Sequence, residues 1–208
     1  MEPETIKALI SHTHEVILAH AEELTDLDQA IGDGDHGINM KRGFEAIAAA
    51  VDAISELPGG KALEKAGMTL VMSVGGASGP LYGSLLMSMG KAMPEEPGSV
   101  GDFATAFQAG VEAVMKRGKS EGGEKTMLEV LLPVAALLSS ADTFDADALR
   151  AAADAGLAST RDMKATKGRA SFLGDRSIGH LDPGARSSTL LIHAVCDVVE
   201  SCDAIGGK

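Results

Sequence analysis

Ile6, Leu9, Ile10, Val16 and Ile17 fall on one side of a 3.6-residue repeat, with polar residues between them. This spacing predicts an amphipathic helix from Pro3 to about Leu24. The same periodicity, read between breaks rich in Gly, Pro and Asp, predicts seven more helices. The second runs from Ile38 to about Leu57 and is closed by Pro58-Gly59-Gly60, and the third spans Ala62 to Val74. Pro80 opens a fourth, reaching about Met93, and a fifth covers about Gly101 to Arg117. The sixth, Met127 to about Ser140, is the most apolar and is expected to kink at Pro133. Asp145 opens an alanine-rich seventh reaching about Lys164, and the eighth runs from about Arg186 to Ala204.

Eight helices joined mostly by short connections predict an all-α, antiparallel up-and-down barrel or bundle. No repeat, low-complexity tract or linker divides it, so residues 1–208 are expected to form one domain. An aromatic content of 3%, with no Trp and one Tyr, favours helices packed through small side chains over a β-sandwich. In an up-and-down arrangement the connections alternate between two ends. The first, third, fifth and seventh contain DQAIGDGDHG, GGASGP, GKSEGGEKT and KGRASFLGDRSIGHLDPGA, whereas the others hold ordinary turn residues. The unusual chemistry therefore gathers at one end.

Asp28, Asp33 and Asp35 share the first connection with Gly32, Gly34 and Gly37. At an effective dielectric of 20, two carboxylates about 4 Å apart repel by roughly 4 kcal/mol, so such a cluster calls for a cation. Hard oxygen ligands suit Mg²⁺, and the stretch reads as a metal loop. Gly32 to Gly37 also fits G-x-G-x-x-G, but no strand precedes it, and two aspartates in the turn would repel a bare pyrophosphate. An EF-hand fails because Phe44 would stand where the bidentate Glu belongs. His36 and Asn39 are expected to line the site without binding metal.

Gly75 to Pro80 precedes a helix N-terminus, where free N–H groups and the helix dipole attract anions, and Ser78 adds a hydroxyl. Gly118 to Thr126 resembles a P-loop whose spacing is spoiled by Glu124, so it is not a Walker motif. Thr126 and Met127 still stand where they could touch a nucleotide. In the seventh connection Arg169, Arg176, His180 and Asp182-Pro183-Gly184 stand out, and an arginine there would neutralise a transferring phosphoryl group.

A net charge of −12 excludes a sequence-independent grip on nucleic acid or an anionic membrane. Ten of the 18 Lys and Arg residues nevertheless lie in Lys116 to Lys125 and Arg161 to Arg186, opposite the acidic loop. Metal-binding carboxylates facing cationic and Gly-rich anion cradles suit a polyphosphate. Cys196 and Cys202 lie six apart on one helix and cannot bridge within it, which favours a reduced, cytoplasmic setting. No apolar run reaches membrane length.

AIGDGDHGINMKRGF, GMTLVMSVGGASGPLYG, RGKSEGGEKTM and KGRASFLGDRSIGHLDPGA, in this order, closely resemble the nucleotide-binding L subunit of dihydroxyacetone kinase. The resemblance implies an eight-helix barrel that holds ADP or ATP with two Mg²⁺ at one end, the ions bound by Asp28, Asp33 and Asp35. It implies nucleotide contacts around His36, Asn39, Gly76, Ala77, Ser78, Thr126, Met127, Arg176, Asp182, Pro183 and Gly184, with Arg176 as the candidate catalytic residue. Gly34 stands where relatives carry alanine. The family's L subunit works with a separate K subunit that holds dihydroxyacetone. In one form its nucleotide is recharged by a phosphohistidine protein of the sugar phosphotransferase system, and in another free ATP is the donor. The leading expectation is the first. Free ATP, a larger ketose, or a nucleotide-sensing adaptor that docks on a regulatory protein are the alternatives.

Overall fold

In the computed structural model, the backbone is described for residues 1–206 and side chains for residues 1–202. Every regular element among the described residues is a helix, and there is no strand among them. The first expected helix is two. α1 (Pro3–Ala19) gives way at His20 to α2 (Ala21–Ile31), because His20 adopts φ −109° and ψ 10°, outside the helical range. The acidic stretch is therefore helical as far as Ile31 and irregular only from Gly32 to Asp35.

The second expected helix is also divided, into α3 (His36–Ala48) and the single turn α4 (Val51–Ser55). Gly59 and Gly60 do not end it. They form the first turn of α5 (Gly59–Ser73), where a Cβ on Gly60 would sit 2.7 Å from the Gly90 carbonyl oxygen. Helix packing, more than turn formation, thus requires glycine there.

α6 (Ser78–Ala92) follows, then α7 (Val100–Gly118), opened by a capping box in which Ser99 and Asp102 satisfy each other's backbone N–H groups. α8 (Leu128–Ser140) continues through Pro133 without interruption. α9 (Ala146–Ser159) ends earlier than its alanine pattern suggests, in a 3-10 turn over Thr160–Asp162. α10 (Pro183–Gly206) begins three residues before Arg186, so Asp182-Pro183-Gly184 is a helix start and not a free turn.

The helices α1, α3, α5, α6, α7, α8, α9 and α10 each pack on the next, and α10 returns to α1. This is the expected eight-helix barrel, closed on itself, with α2 lying on α3 and α10 and α4 on α1 and α5. Ile17, Leu24, Leu70, Val111, Val130 and Ala153 are buried along its interior. Cys196 and Cys202 both lie on α10 and are free.

The seventh connection is more ordered than its sequence suggests. It contains 3-10 turns over Arg169–Ser177, broken at Gly174 with φ +58°, and the Ser177 hydroxyl accepts the Ala165 N–H at 2.9 Å. Ala165, Ala170 and Leu173 pack on Ile31, forming a small apolar cluster separate from the barrel core. That cluster seats the connection on the end of α2, beside the acidic residues.

Candidate functional site

Asp28 lies on the last turn of α2 and is buried, 8% exposed. Its Oδ2 accepts the N–H groups of Asp35 at 2.8 Å and His36 at 3.1 Å, so it caps the start of α3 from a neighbouring helix. Gly34, at φ +75°, turns the chain so that Asp33 and Asp35 come back toward it. The three carboxylates each offer an oxygen, and these oxygens lie within 4.8 Å of one another.

Such a set fits a hard divalent cation. Asp28 Oδ2 is spent on the backbone, and Oδ1 is kept clear because the neighbouring residue is Gly32, whose Cβ would overlap that oxygen. A protein cation already answers the cluster: Arg169 Nη2 lies 2.9 Å from Asp33 Oδ2. Close approach of α2 and α3 fixes the geometry, since a Cβ on Gly37 would run into the Ala21 carbonyl and lie 2.8 Å from Thr25 N.

The Gly75–Ser78 connection faces this loop. Gly76 has φ +65°, and a Cβ there would stand 4.0 Å from Asp35 Oδ2 and 3.8 Å from Asn39 Nδ2. Asn39 is buried, its Oδ1 accepting Arg42 Nη2 at 2.6 Å, while Arg42 Nε donates to the Ser73 carbonyl at 2.7 Å. Ala77 caps α6 without a side-chain bond, so the N–H groups of Ser78 and Gly79 at its start have no side-chain partner.

His36 is buried between this connection and α10. Its Nδ1 lies 3.0 Å from Ser78 Oγ and its Nε2 2.9 Å from Ser187 Oγ. Burial lowers its pKa, against the pull of Asp28 and Asp35. Tyr82 Oη continues the chain, 2.7 Å from Ser187 Oγ and 2.9 Å from Ser188 Oγ, and burial pushes its pKa up to about 12.

A second group adjoins the first. Asp182 Oδ2 accepts the Ala185 N–H at 2.7 Å, capping α10, and burial raises its carboxyl to about 7. Gly184 comes close to Met127, which a Cβ on the glycine would approach at 3.6 Å. Thr126 N donates to Glu129 Oε1 at 3.2 Å, and its hydroxyl oxygen accepts the Leu128 N–H at 3.1 Å. Lys125, buried and at φ +61°, donates through Nζ to the carbonyls of Thr160 and His180, both at 2.5 Å. It ties the fifth connection to the seventh.

The structure thus gathers Asp28, Asp33, Asp35, His36, Asn39, Gly76, Ala77 and Ser78 at one end, with Thr126, Met127, Asp182, Pro183 and Gly184 beside them. Arg176 lies beyond the break at Gly174 from Arg169 and is exposed, and among the described residues its side chain has no hydrogen bond or ion pair. Of the seventh connection's arginines, Arg169 is the one placed on the aspartates. Sequence reasoning did not single out Lys125, Glu129, Tyr82, Ser187 or Ser188. Tyr82, as the sole tyrosine, and the polar run Ser187-Ser188-Thr189 inside an otherwise apolar helix were the available signals.

Residues 30–197 match the DAK2 domain. The chain is 52% identical over 172 residues to the ADP-binding subunit DhaL of PEP-dependent dihydroxyacetone kinase 1 of Listeria innocua, covering 83% of this chain and 84% of that protein. It is 43% identical over 178 residues to the ADP-binding subunit DhaL of the PTS-dependent dihydroxyacetone kinase of Lactococcus lactis, covering 85% and 87%. Among solved structures, the dihydroxyacetone kinase of C. freundii in complex with AMP-PNP and Mg²⁺ shares the fold, with a TM-score of 0.76 at 21% identity. That match covers 92% of this chain and 33% of the longer one.

Proposed function

Because the chain belongs to the DAK2 family, among the ADP-binding subunits of dihydroxyacetone kinases, we propose that it holds a Mg-bound adenine nucleotide at its acidic end. From there it passes a phosphoryl group to dihydroxyacetone carried by a separate K subunit. The nucleotide stays bound and is recharged by a phosphohistidine protein of the phosphotransferase system, a reading supported by the PEP- and PTS-dependent names of the relatives. The observation that carries the proposal is the meeting of three carboxylates within 4.8 Å opposite the open N-terminus of α6.

Asp28, Asp33 and Asp35 would hold two Mg²⁺ ions, which when bound neutralise phosphate charge during transfer. The chain's own residues do the rest. Backbone N–H groups of Gly76, Ala77 and Ser78 receive phosphate oxygens, and Asn39, fixed by Arg42, orients that connection. Met127, Thr126 and the Asp182-Pro183-Gly184 start of α10 form the wall against which the nucleoside lies. Arg169, which meets Asp33 at 2.9 Å, would neutralise charge on the phosphoryl group, with Arg176 farther along the same connection.

No helix among the described residues is long and apolar enough to cross a membrane, in keeping with a cytoplasmic kinase. The deciding experiment is reconstitution with a K subunit, dihydroxyacetone and either a phosphohistidine donor or ATP. Product with the phosphohistidine donor is expected, and Asp33→Asn should abolish both product and tight Mg-ADP binding while leaving helical content intact. Product with ATP alone would instead assign free ATP as the donor. No product with either would favour the adaptor.

A further inference from the structure

The fifth connection resembles a phosphate loop with Glu124 inserted ahead of Lys125-Thr126, and its backbone forms the kind of concavity that takes an anion. Gly123 and Lys125 have φ of +86° and +61°, with Glu124 between them, so successive N–H groups turn to one side. A lysine keeps such a conformation only where its surroundings impose it. The concavity is already filled. Glu129, on the first turn of α8 and 6% exposed, accepts through Oε1 the N–H groups of Glu124 at 3.0 Å and Thr126 at 3.2 Å. Burial raises its pKa, against the pull of these groups and of the Lys125 and Gly123 N–H groups, which face the same carboxyl.

The carboxylate's partners are backbone amides. Its Oε2 is shut off from solvent with no hydrogen-bond partner among the described residues, and Lys125 directs its ammonium group at the Thr160 and His180 carbonyls instead. Turning an N–H inward turns the carbonyl of the same trans peptide outward. The Lys125 N–H faces Glu129, and the Glu124 carbonyl of that peptide accepts the Thr166 N–H at 3.3 Å. This bond and the Lys125 ammonium group tie the fifth connection to the seventh, which brings Arg169 to Asp33. Next along the chain, Met127 stands against Gly184.

We infer that Glu129 is a positioning residue whose carboxyl group stands in the fifth connection's anion concavity in place of a phosphate, and so sets Lys125 on the seventh connection and Met127 on the start of α10. The fifth connection then takes no phosphate and meets a nucleotide only through Thr126 and Met127. The nucleotide's part in this rests on the function proposed for the chain; the filled concavity does not.

Amide exchange and amide resonances of the nucleotide-free protein read the concavity directly. In wild type the Glu124 and Thr126 amides should exchange slowly, although both lie in an irregular segment, and inorganic phosphate should leave their resonances in place. Exchange as fast as in free peptide, or a saturable shift with phosphate, would overturn the inference. In Glu129→Ala the two amides should exchange about tenfold faster or more. Acetate, which has the size of the lost group, should slow them again and raise the variant's melting temperature saturably at constant ionic strength, with no such rise in wild type. Unchanged exchange in Glu129→Ala, or no response to acetate, would refute the filling. Glu129→Gln keeps one acceptor oxygen, so both amides should stay slow while their proton resonances move with the lost charge. Unmoved resonances there would refute it too.

Calorimetry supplies the functional readout. Mg-ADP should bind Glu129→Ala about tenfold more weakly, with acetate restoring most of the loss, and Glu129→Gln only about threefold more weakly. Wild-type affinity in Glu129→Ala, with its loop amides exchanging fast, would remove the positioning role. A wild-type protein that binds no Mg-ADP would sink the proposed function, and the exchange and phosphate results would still decide what fills the concavity.

Discussion

Replacing Asp28 by Asn separates two roles that one carboxylate performs. Oδ2 holds the Asp35 and His36 N–H groups, and Oδ1 faces the cation site. An amide oxygen can keep both N–H bonds, while the amide nitrogen removes a charge and a metal ligand. Two carboxylates 4.8 Å apart repel by about 3.5 kcal/mol at an effective dielectric of 20 and by less than about 1 kcal/mol in bulk water. Asp33 is 34% exposed and paired with Arg169, so the relief on losing one charge should lie near the lower figure, about 1 kcal/mol. The nucleotide-free variant should therefore melt at the wild-type temperature or about 2–4 °C above it. Mg-ADP at 100 times its dissociation constant stabilises wild type by about 2.7 kcal/mol, a rise of about 5–10 °C that a chelator abolishes. Asp28→Asn should lose that rise. Asp28→Ala should lose it as well and also forfeit two charge-assisted bonds, lowering nucleotide-free stability by about 2–4 kcal/mol. Differential scanning fluorimetry with and without chelator makes the comparison. A full Mg-dependent rise in Asp28→Asn would refute the carboxylate site, and instability of Asp28→Asn equal to that of Asp28→Ala would refute the division of labour.

Arg169→Ala should change stability by less than about 1 kcal/mol, because the ion pair is exposed, yet cut turnover in the reconstituted assay by roughly 100-fold or more. Arg176→Ala should cost far less, and the reverse order of the two would return the role to Arg176. Gly37→Ala forces apart α2 and α3 at the Ala21 carbonyl and should lower stability by about 1–3 kcal/mol in urea unfolding, with Mg-ADP affinity falling too. Burial raises the folded pKa of Asp182 to about 7 from 3.8. The folded state then binds more protons than the unfolded state between those values, so its contribution is full below about pH 4 and is lost as pH rises through 7, by at most about 4 kcal/mol. Asp182→Asn should flatten that part of the stability profile, and an unchanged slope would show that Asp182 titrates normally.

The barrel and its functional end were legible because both depend on patterns the chain repeats. Periodic apolar residues specify helices, and short connections specify antiparallel neighbours, so the parity of the connections placed four loops together without any knowledge of contacts. Breaks inside helices were not legible. His20 interrupts the first helix with residues on either side that are good helix formers, and the stop comes from tertiary packing of α2 on α3 and α10. Gly59-Gly60 was misread for a related reason, since a glycine pair that stops one helix looks the same as one that lets the next helix touch α6. Pro183 was hidden by the aspartate before it, which reads as a turn residue and as an N-cap alike.

Within the site, charge was easier to read than hydrogen bonding. Three aspartates close together announce a cation, because their mutual repulsion has few other remedies. Nothing in the sequence says which arginine answers them, since Arg169 and Arg176 lie seven residues apart in one connection; the packing of Ala170 and Leu173 on Ile31 seats Arg169 by Asp33, and the break at Gly174 separates Arg176 from it. The serines of α10 are the stronger case. Ser187 and Ser188 look like unremarkable helix residues until His36 and Tyr82 are placed beside them, where they meet those buried polar groups at 2.7 to 2.9 Å. The acidic loop makes the site attractive to a metal; the barrel interior, through Ser187 and Tyr82, holds the His36 ring against Ser78 at the edge of that loop.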